Sequence, residues 1–230
     1  MAAACNLASW TGGLDISPVT ALAWVLLMAA SALALGDWVA VGRGERRLEY
    51  LCKPGTLVLL IGVALALDPA HGDVRAWFVG ALVLSLAGDV FLMLPDDRFV
   101  PGLGSFLLGH VAYVVGLNLH GGPGDELVLA SIPVAIVAAI LAVRILRAVL
   151  ADGHRELVWP LVAYMLVISA MVTSALATGN VLAAVGATLF FSSDALIAET
   201  RFVRPHRGAR VAIMVTYHLG QAGLVLSLLD

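Results

Sequence analysis

Apolar residues run along this chain in eight long blocks, at about 19–41, 54–70, 74–94, 102–120, 127–150, 156–177, 180–199 and 210–229. Each is long enough, or nearly so, to cross a hydrocarbon layer of roughly 30 Å as a helix of about 20 residues. The alternation of lipid-facing and lumen-facing residues that a membrane barrel requires is absent. The pattern therefore predicts an all-α fold, a polytopic membrane bundle of about eight transmembrane helices. Residues 1–18 would form a short extracytoplasmic segment, and 19–230 a single transmembrane domain. Composition agrees, with 61% hydrophobic and 13% charged residues and a mean hydropathy of +0.98. That balance is far from a soluble domain's. It leaves membrane lipids as the surroundings and offers no basic surface for nucleic acid.

The basic residues orient the bundle, because short loops on the cytoplasmic side retain Lys and Arg. Arg43, Arg46, Arg47 and Lys53 fall between helices 1 and 2, and Arg98 between 3 and 4. Arg144, Arg147 and Arg155 surround the 5–6 turn, and Arg201, Arg204, Arg207 and Arg210 lie between 7 and 8. Only Arg75 among the 13 basic residues falls on the other side. Both termini are predicted to face outward, in a bacterial inner membrane. The first 18 residues lack a basic n-region, so helix 1 is expected to be retained rather than cleaved as a signal. Cys5 and Cys52 then sit on opposite sides and cannot pair. The net charge of −3 adds little.

Within this frame a few polar residues stand out. Asp89 lies in ALVLSLAGDVFLML and Asp194 in AAVGATLFFSSDALIA, and an intramembrane acid is a functional-site hypothesis by default. Each is five residues from the inner end of its helix, roughly 7–8 Å deep at 1.5 Å per residue. His110 with Tyr113, Tyr164, and Tyr217 with His218 and Gln221 reach roughly 12–17 Å on the same count, and Lys53 stands at the inner mouth of helix 2. These residues predict a polar pocket in the inner leaflet. A weak repeat supports it: Pro54 precedes Asp89 by about as many residues as Pro160 precedes Asp194, and an Arg-Phe-Val follows each aspartate, at Arg98 and at Arg201. The repeat predicts two parallel halves of four helices, related by an axis along the membrane normal that would set the two aspartates face to face. Coincidence of helix-end composition is the alternative.

Structural readings compete at each position. The aspartates could cap helix ends or pair with Lys53 and Arg201. The histidines could be packing residues, the tyrosines interhelical hydrogen bonds, and Lys53 a topology marker. Asp37, Asp96 and Asp97 read as interfacial. Two His and two Asp also suggest a metal-dependent lipid hydrolase, but no paired-histidine spacing supports it, so no metal or cofactor is assigned. A carrier using the acids as proton relays is a further class, against which no helix carries a paired Gly or Pro break at mid-membrane. A noncatalytic lipid-binding protein is a third.

Lys53-Pro54, Gly88-Asp89 with the FLML that follows, Gly109-His110 with Tyr113, Tyr164, Ser193-Asp194 followed by Arg201-Phe202, and Tyr217 with Gln221 together resemble the YhhN family, the lysoplasmalogenases. The resemblance spans helices 2–8. It implies hydrolysis of the vinyl ether bond of a lysoplasmalogen to a fatty aldehyde and a glycerophosphoethanolamine or glycerophosphocholine, with a lysophospholipid of the ether class as substrate. It implies Asp89 and Asp194 as the catalytic pair. Beside them Lys53 at the mouth would suit the substrate phosphate as a point charge, and His110, Tyr113, Tyr164, Ser193, Tyr217, His218 and Gln221 are the other substrate-binding candidates, although Ser193 also reads as a small helix-packing residue. The chemistry suits two carboxyls: protonating the β-carbon needs a positioned acid, and an ionised partner stabilises the oxocarbenium ion and activates water.

Overall fold

The computed structural model describes residues 20–69, 71–96, 98–120 and 124–229. The segment 1–18 with Cys5, and Asp97, lie outside the described residues. Among the described residues eight helices long and apolar enough to span a membrane follow one another: α1 (Ala21–Arg43), α2 (Arg46–Ala66), α3 (Gly72–Met93), α4 (Phe99–Asn118), α5 (Asp125–Ala151), α6 (Val158–Ala177), α7 (Val181–Ala198) and α8 (Ala209–Leu226). The protein is an integral membrane helix bundle. Every large hydrophobic on the outer faces, such as Met28, Leu51, Leu129, Ile140 and Leu166, is exposed in the isolated chain and suits contact with lipid tails.

Consecutive helices form tight antiparallel hairpins, α1 on α2, α3 on α4, α5 on α6 and α7 on α8. Within the hairpins, glycines let the paired helices approach closely, as membrane helix pairs require in the absence of a hydrophobic drive. A Cβ on Gly186 of α7 would come within 2.7 Å of the Leu224 backbone nitrogen of α8, and one on Gly88 of α3 within 2.6 Å of the Phe106 ring of α4. The halves join through α6 against α4 and α8 against α2. Each half thus sends its second helix to the fourth helix of the other, the adjacency that a parallel 4+4 repeat predicts. α5 departs from the symmetry. It leans on α6 and on the turn after α7, and most of its apolar residues face outward, Ile145 and Val149 being buried against these neighbours.

Two elements differ from the sequence expectation. α2 begins at Arg46 rather than at Lys53-Pro54, so the charged stretch is helical and Pro54 lies inside the helix. Proline withholds one intrahelical donor, but tertiary contacts hold these turns. Glu49 meets Arg210 of α8 at 2.8 Å, and the Tyr50 hydroxyl donates to the Met93 carbonyl at 2.8 Å. After α7 the chain does not stop at Glu199 but winds into one π turn, Glu199–Val203, closed by Arg204 N–H donating to the Glu199 carbonyl at 3.0 Å. The wider turn buries Phe202 edge-on against Phe99, 5.8 Å between centroids, and lays the Arg201 guanidinium over Phe99 at 4.1 Å. Glu199 is tied to Arg144 of α5 by two bonds of 2.9 and 2.5 Å.

Candidate active site

Asp89 sits one residue after Gly88, where the missing side chain lets Phe106 close over α3. Its Oδ1 lies 2.9 Å from the Lys53 ammonium, and its Oδ2 accepts from the Tyr217 hydroxyl at 2.7 Å. The carboxylate is 1% exposed and the lysine side chain 8%. Both oxygens therefore have short, strong partners, of the kind that hold a carboxylate ionised in a dry interior. This corrects one expectation: Lys53 does not stand at the mouth of α2 as an open point charge but is buried one helix turn and more inside it, locked to Asp89.

Asp194 is built differently. Its Oδ2 accepts from the Tyr164 hydroxyl at 2.6 Å and lies 3.5 Å from His110 Nε2, a separation without hydrogen-bond geometry. His110 Nδ1 sits 2.5 Å from the Phe106 carbonyl. A carbonyl only accepts, so Nδ1 carries the proton and the Nε2 lone pair faces the aspartate. Tyr164 and Phe190 wall the imidazole at 5.3 and 4.6 Å between centroids. No cation pairs with Asp194 among the described residues, and its side chain is 13% exposed.

The two centres repeat one plan. Each aspartate takes one partner from the second helix of its own half, Lys53 on α2 or Tyr164 on α6. It takes another from the fourth helix of the other half, Tyr217 on α8 or His110 on α4. No hydrogen bond joins the two aspartates among the described residues: each is held by its own partners, and the two interact through space. The crossing explains why one half cannot complete either centre.

Asp194 and Tyr164 open on a narrow apolar crevice between α4, α5, α6 and α7. Its walls include Leu103, Phe106, Leu141, Ile145, Met165 and Phe191, and Phe99 and Phe202 close its inner end. The peripheral lean of α5 leaves this space. A long hydrocarbon chain fits such a lining, and Asp194 is the carboxyl at its wall.

The remaining predicted residues divide. Tyr113 donates to Gln221 Oε1 at 2.6 Å, a fully buried brace between α4 and α8 beside Tyr217. Ser193 is not in the pocket. It is wholly buried and donates to the Ile213 carbonyl at 3.1 Å, joining α7 to α8. His218 faces away from both aspartates and accepts at Nδ1 from the Trp38 indole at 3.1 Å. With His218 turned to α1, no metal set of two His and two Asp is assembled here.

Asp37 is the residue that sequence reasoning misplaced. Taken as interfacial, it is 0% exposed, neither carboxyl oxygen has a partner among the described residues, and it interacts through space with Lys53 and Asp89. The signal was present: ALALGDWVAV sets it in an apolar run as Asp89 is set. α1 reaches Arg43, which puts Asp37 well inside.

The chain is similar to known proteins over most of its length. The sequence profile of the YhhN family matches residues 48–228. A protein of Mycobacterium tuberculosis (strain CDC 1551 / Oshkosh) named Lysoplasmalogenase is 32% identical over 213 residues, 90% of this chain and 79% of that protein. The Homo sapiens protein named Lysoplasmalogenase TMEM86B is 33% identical over 179 residues, 77% of this chain and 73% of that one. An Escherichia coli O157:H7 protein named Uncharacterized membrane protein YhhN is 26% identical over 214 residues, 88% of this chain and 99% of its own. No solved structure matches.

Proposed function

The chain belongs to the YhhN family, and on that footing we propose that it is a membrane enzyme that hydrolyses the vinyl ether bond of lysoplasmalogens, releasing a fatty aldehyde and a glycerophospho-headgroup. The single observation that carries the reading at the level of this chain is the meeting of an apolar crevice with one exposed-edge carboxyl, Asp194. The relatives named lysoplasmalogenase support the substrate class.

The environments divide the two acids into roles. Asp89, with an ammonium at 2.9 Å and a phenol at 2.7 Å, is the ionised member. Asp194, with only a phenol donor and a neutral imidazole beside it, is the proton donor. The alkenyl chain lies in the crevice with its β-carbon at Asp194. The carboxyl gives its proton to that carbon, and the π electrons leave an oxocarbenium ion at the carbon bonded to the ether oxygen. The Asp89 carboxylate stabilises this cation through space. Water then adds to the cationic carbon and returns a proton to the Asp194 carboxylate, with His110 Nε2 as a second acceptor within reach. The hemiacetal collapses when its hydroxyl proton is taken and one is delivered to the glycerol oxygen. The sum is one water consumed, one aldehyde and one alcohol formed.

Headgroup recognition falls to the inner end. Lys53 is buried against Asp89; Arg201 is exposed and lies over Phe99, which lines the crevice. We assign the substrate phosphate to Arg201, whose planar fork suits it. The basic helix ends then face the cytoplasm and both termini face outward, in a bacterial cell membrane. The test is aldehyde release from a lysoplasmalogen by purified protein in detergent, beside the saturated alkyl ether of the same headgroup. Aldehyde from the vinyl ether alone is expected. None from well-folded protein would overturn the reading, and solute uptake by proteoliposomes without product would replace it with a carrier.

A further inference from the structure

At the end of the bundle away from the aspartates, three side chains from two connections meet. His71 caps the start of α3, Asp73 lies in its first turn, and His120 follows the end of α4. One donor atom from each lies within 4.8 Å of the others. The two imidazoles stack at 4.0 Å between centroids, 18° from parallel. His120 Nε2 lies 3.0 and 2.8 Å from the two Asp73 oxygens, and Asp73 Oδ1 also accepts from the Val74 N–H at 2.9 Å. All three residues are exposed. Nothing in the ether hydrolysis uses them.

We propose that His71, Asp73 and His120 form a binding site for a divalent cation of the zinc class. Two imidazoles and a carboxylate are the donors that a borderline ion takes, at about 2.0–2.2 Å each, with a fourth position left for water. Ligand atoms around such a tetrahedral ion are about 3.4 Å apart by that geometry. The His120–Asp73 separation of 2.8 Å has to open by about half an ångström and the other separations, all within 4.8 Å, to adjust, within the reach of exposed side chains. A hydrogen-bonded His–Asp pair alone accounts for two of the three groups, and leaves the second imidazole stacked beside it.

A separate feature marks the same place. Both histidines also line an open cavity of about 420 Å³, whose wall carries Thr178, Asn180 and Ser227. The open coordination position therefore has access to water through a partly polar chamber. A bound ion would tie the α2–α3 connection to the end of α4 and so brace the outer end of the hairpin that carries Asp89 and His110. The site is independent of the proposed reaction, and its failure would leave that reading untouched.

The experiment uses the full chain without a polyhistidine tag, stripped with chelator in detergent and dialysed against Zn²⁺ in excess Mg²⁺. One zinc per chain is expected, together with a raised unfolding temperature. His71→Ala, His120→Ala and Asp73→Asn should each weaken binding at least about tenfold, since even the loss of an outer-shell partner costs that much. Copper(II) bound to the unmodified protein should show hyperfine coupling to two imidazole nitrogens, which tests the site even if a variant fails to fold. No zinc bound, equal binding by all three variants, or a copper spectrum without nitrogen coupling would each overturn the proposal.

Discussion

The Lys53–Asp89 pair offers the sharpest test of how the site is built. At an effective dielectric of about 20, unit charges about 3 Å apart attract by about 6 kcal/mol, and the side chains are 8% and 1% exposed. Removing one partner strands the other charge in a dry interior and costs about 3–5 kcal/mol, whereas replacing both with apolar residues is close to neutral. Lys53→Met and Asp89→Leu should each lower the unfolding temperature by about 6–20 °C, taking about 2–4 °C per kcal/mol for a chain of this size. The double variant should return near the parent while releasing no aldehyde. The assay is the fraction of protein eluting as a single species after heating in detergent, read beside aldehyde release from the same samples. If the double variant loses the sum of the singles, or each single loses under about 1 kcal/mol as an exposed pair would, then the pair is not the closed, buried unit described.

Asp194→Asn keeps the acceptor for Tyr164 and should unfold within a few degrees of the parent, yet lose about 10²–10⁴ in turnover, the usual worth of a positioned proton donor; full turnover would remove Asp194 from the chemistry. Asp37→Leu should stabilise the protein by about 1–3 kcal/mol, the cost of a buried group without a partner, and a drop in unfolding temperature would reveal a partner for its carboxyl. Gly186→Ala drives a Cβ into the Leu224 backbone, which cannot turn aside as a side chain would. About 1–3 kcal/mol should be lost, together with turnover, since α7 carries Asp194; an unchanged unfolding temperature would argue that the two helices are not in backbone contact.

Much of this was legible because a membrane leaves little ambiguity. A run such as ALVLSLAGDVFLML reads as a spanning helix, and an acid inside it reads as a site. The 34- to 35-residue spacing between proline and aspartate also pointed to the repeat. What the repeat could not tell was how its halves interlock. Tyr217 reaches Asp89 and His110 reaches Asp194 across the halves, so each aspartate draws its partners from both. Lys53 was misplaced because a charged stretch before a proline resembles a loop, while its burial depends on Asp89, 36 positions away. Ser193 was grouped with the pocket through its neighbour Asp194 and His218 through its depth, and neither says which way a side chain turns around the helix. The π turn at Glu199 depends on partners on α4 and α5, and the His71–Asp73–His120 cluster on the folding together of two distant connections, so neither has a local pattern to find.

The crevice beside α5 has a kinetic consequence. A substrate that slides in tail-first from the surrounding lipid is delivered by diffusion in two dimensions, and the quantity that sets its capture is the number of substrate molecules per lipid, not per litre. Adding inert detergent or phospholipid at constant total substrate should therefore slow the enzyme as an inhibitor would, without any molecule occupying the site. The products part company on release, the aldehyde returning to the bilayer by the route its parent took and the glycerophospho-headgroup escaping to water.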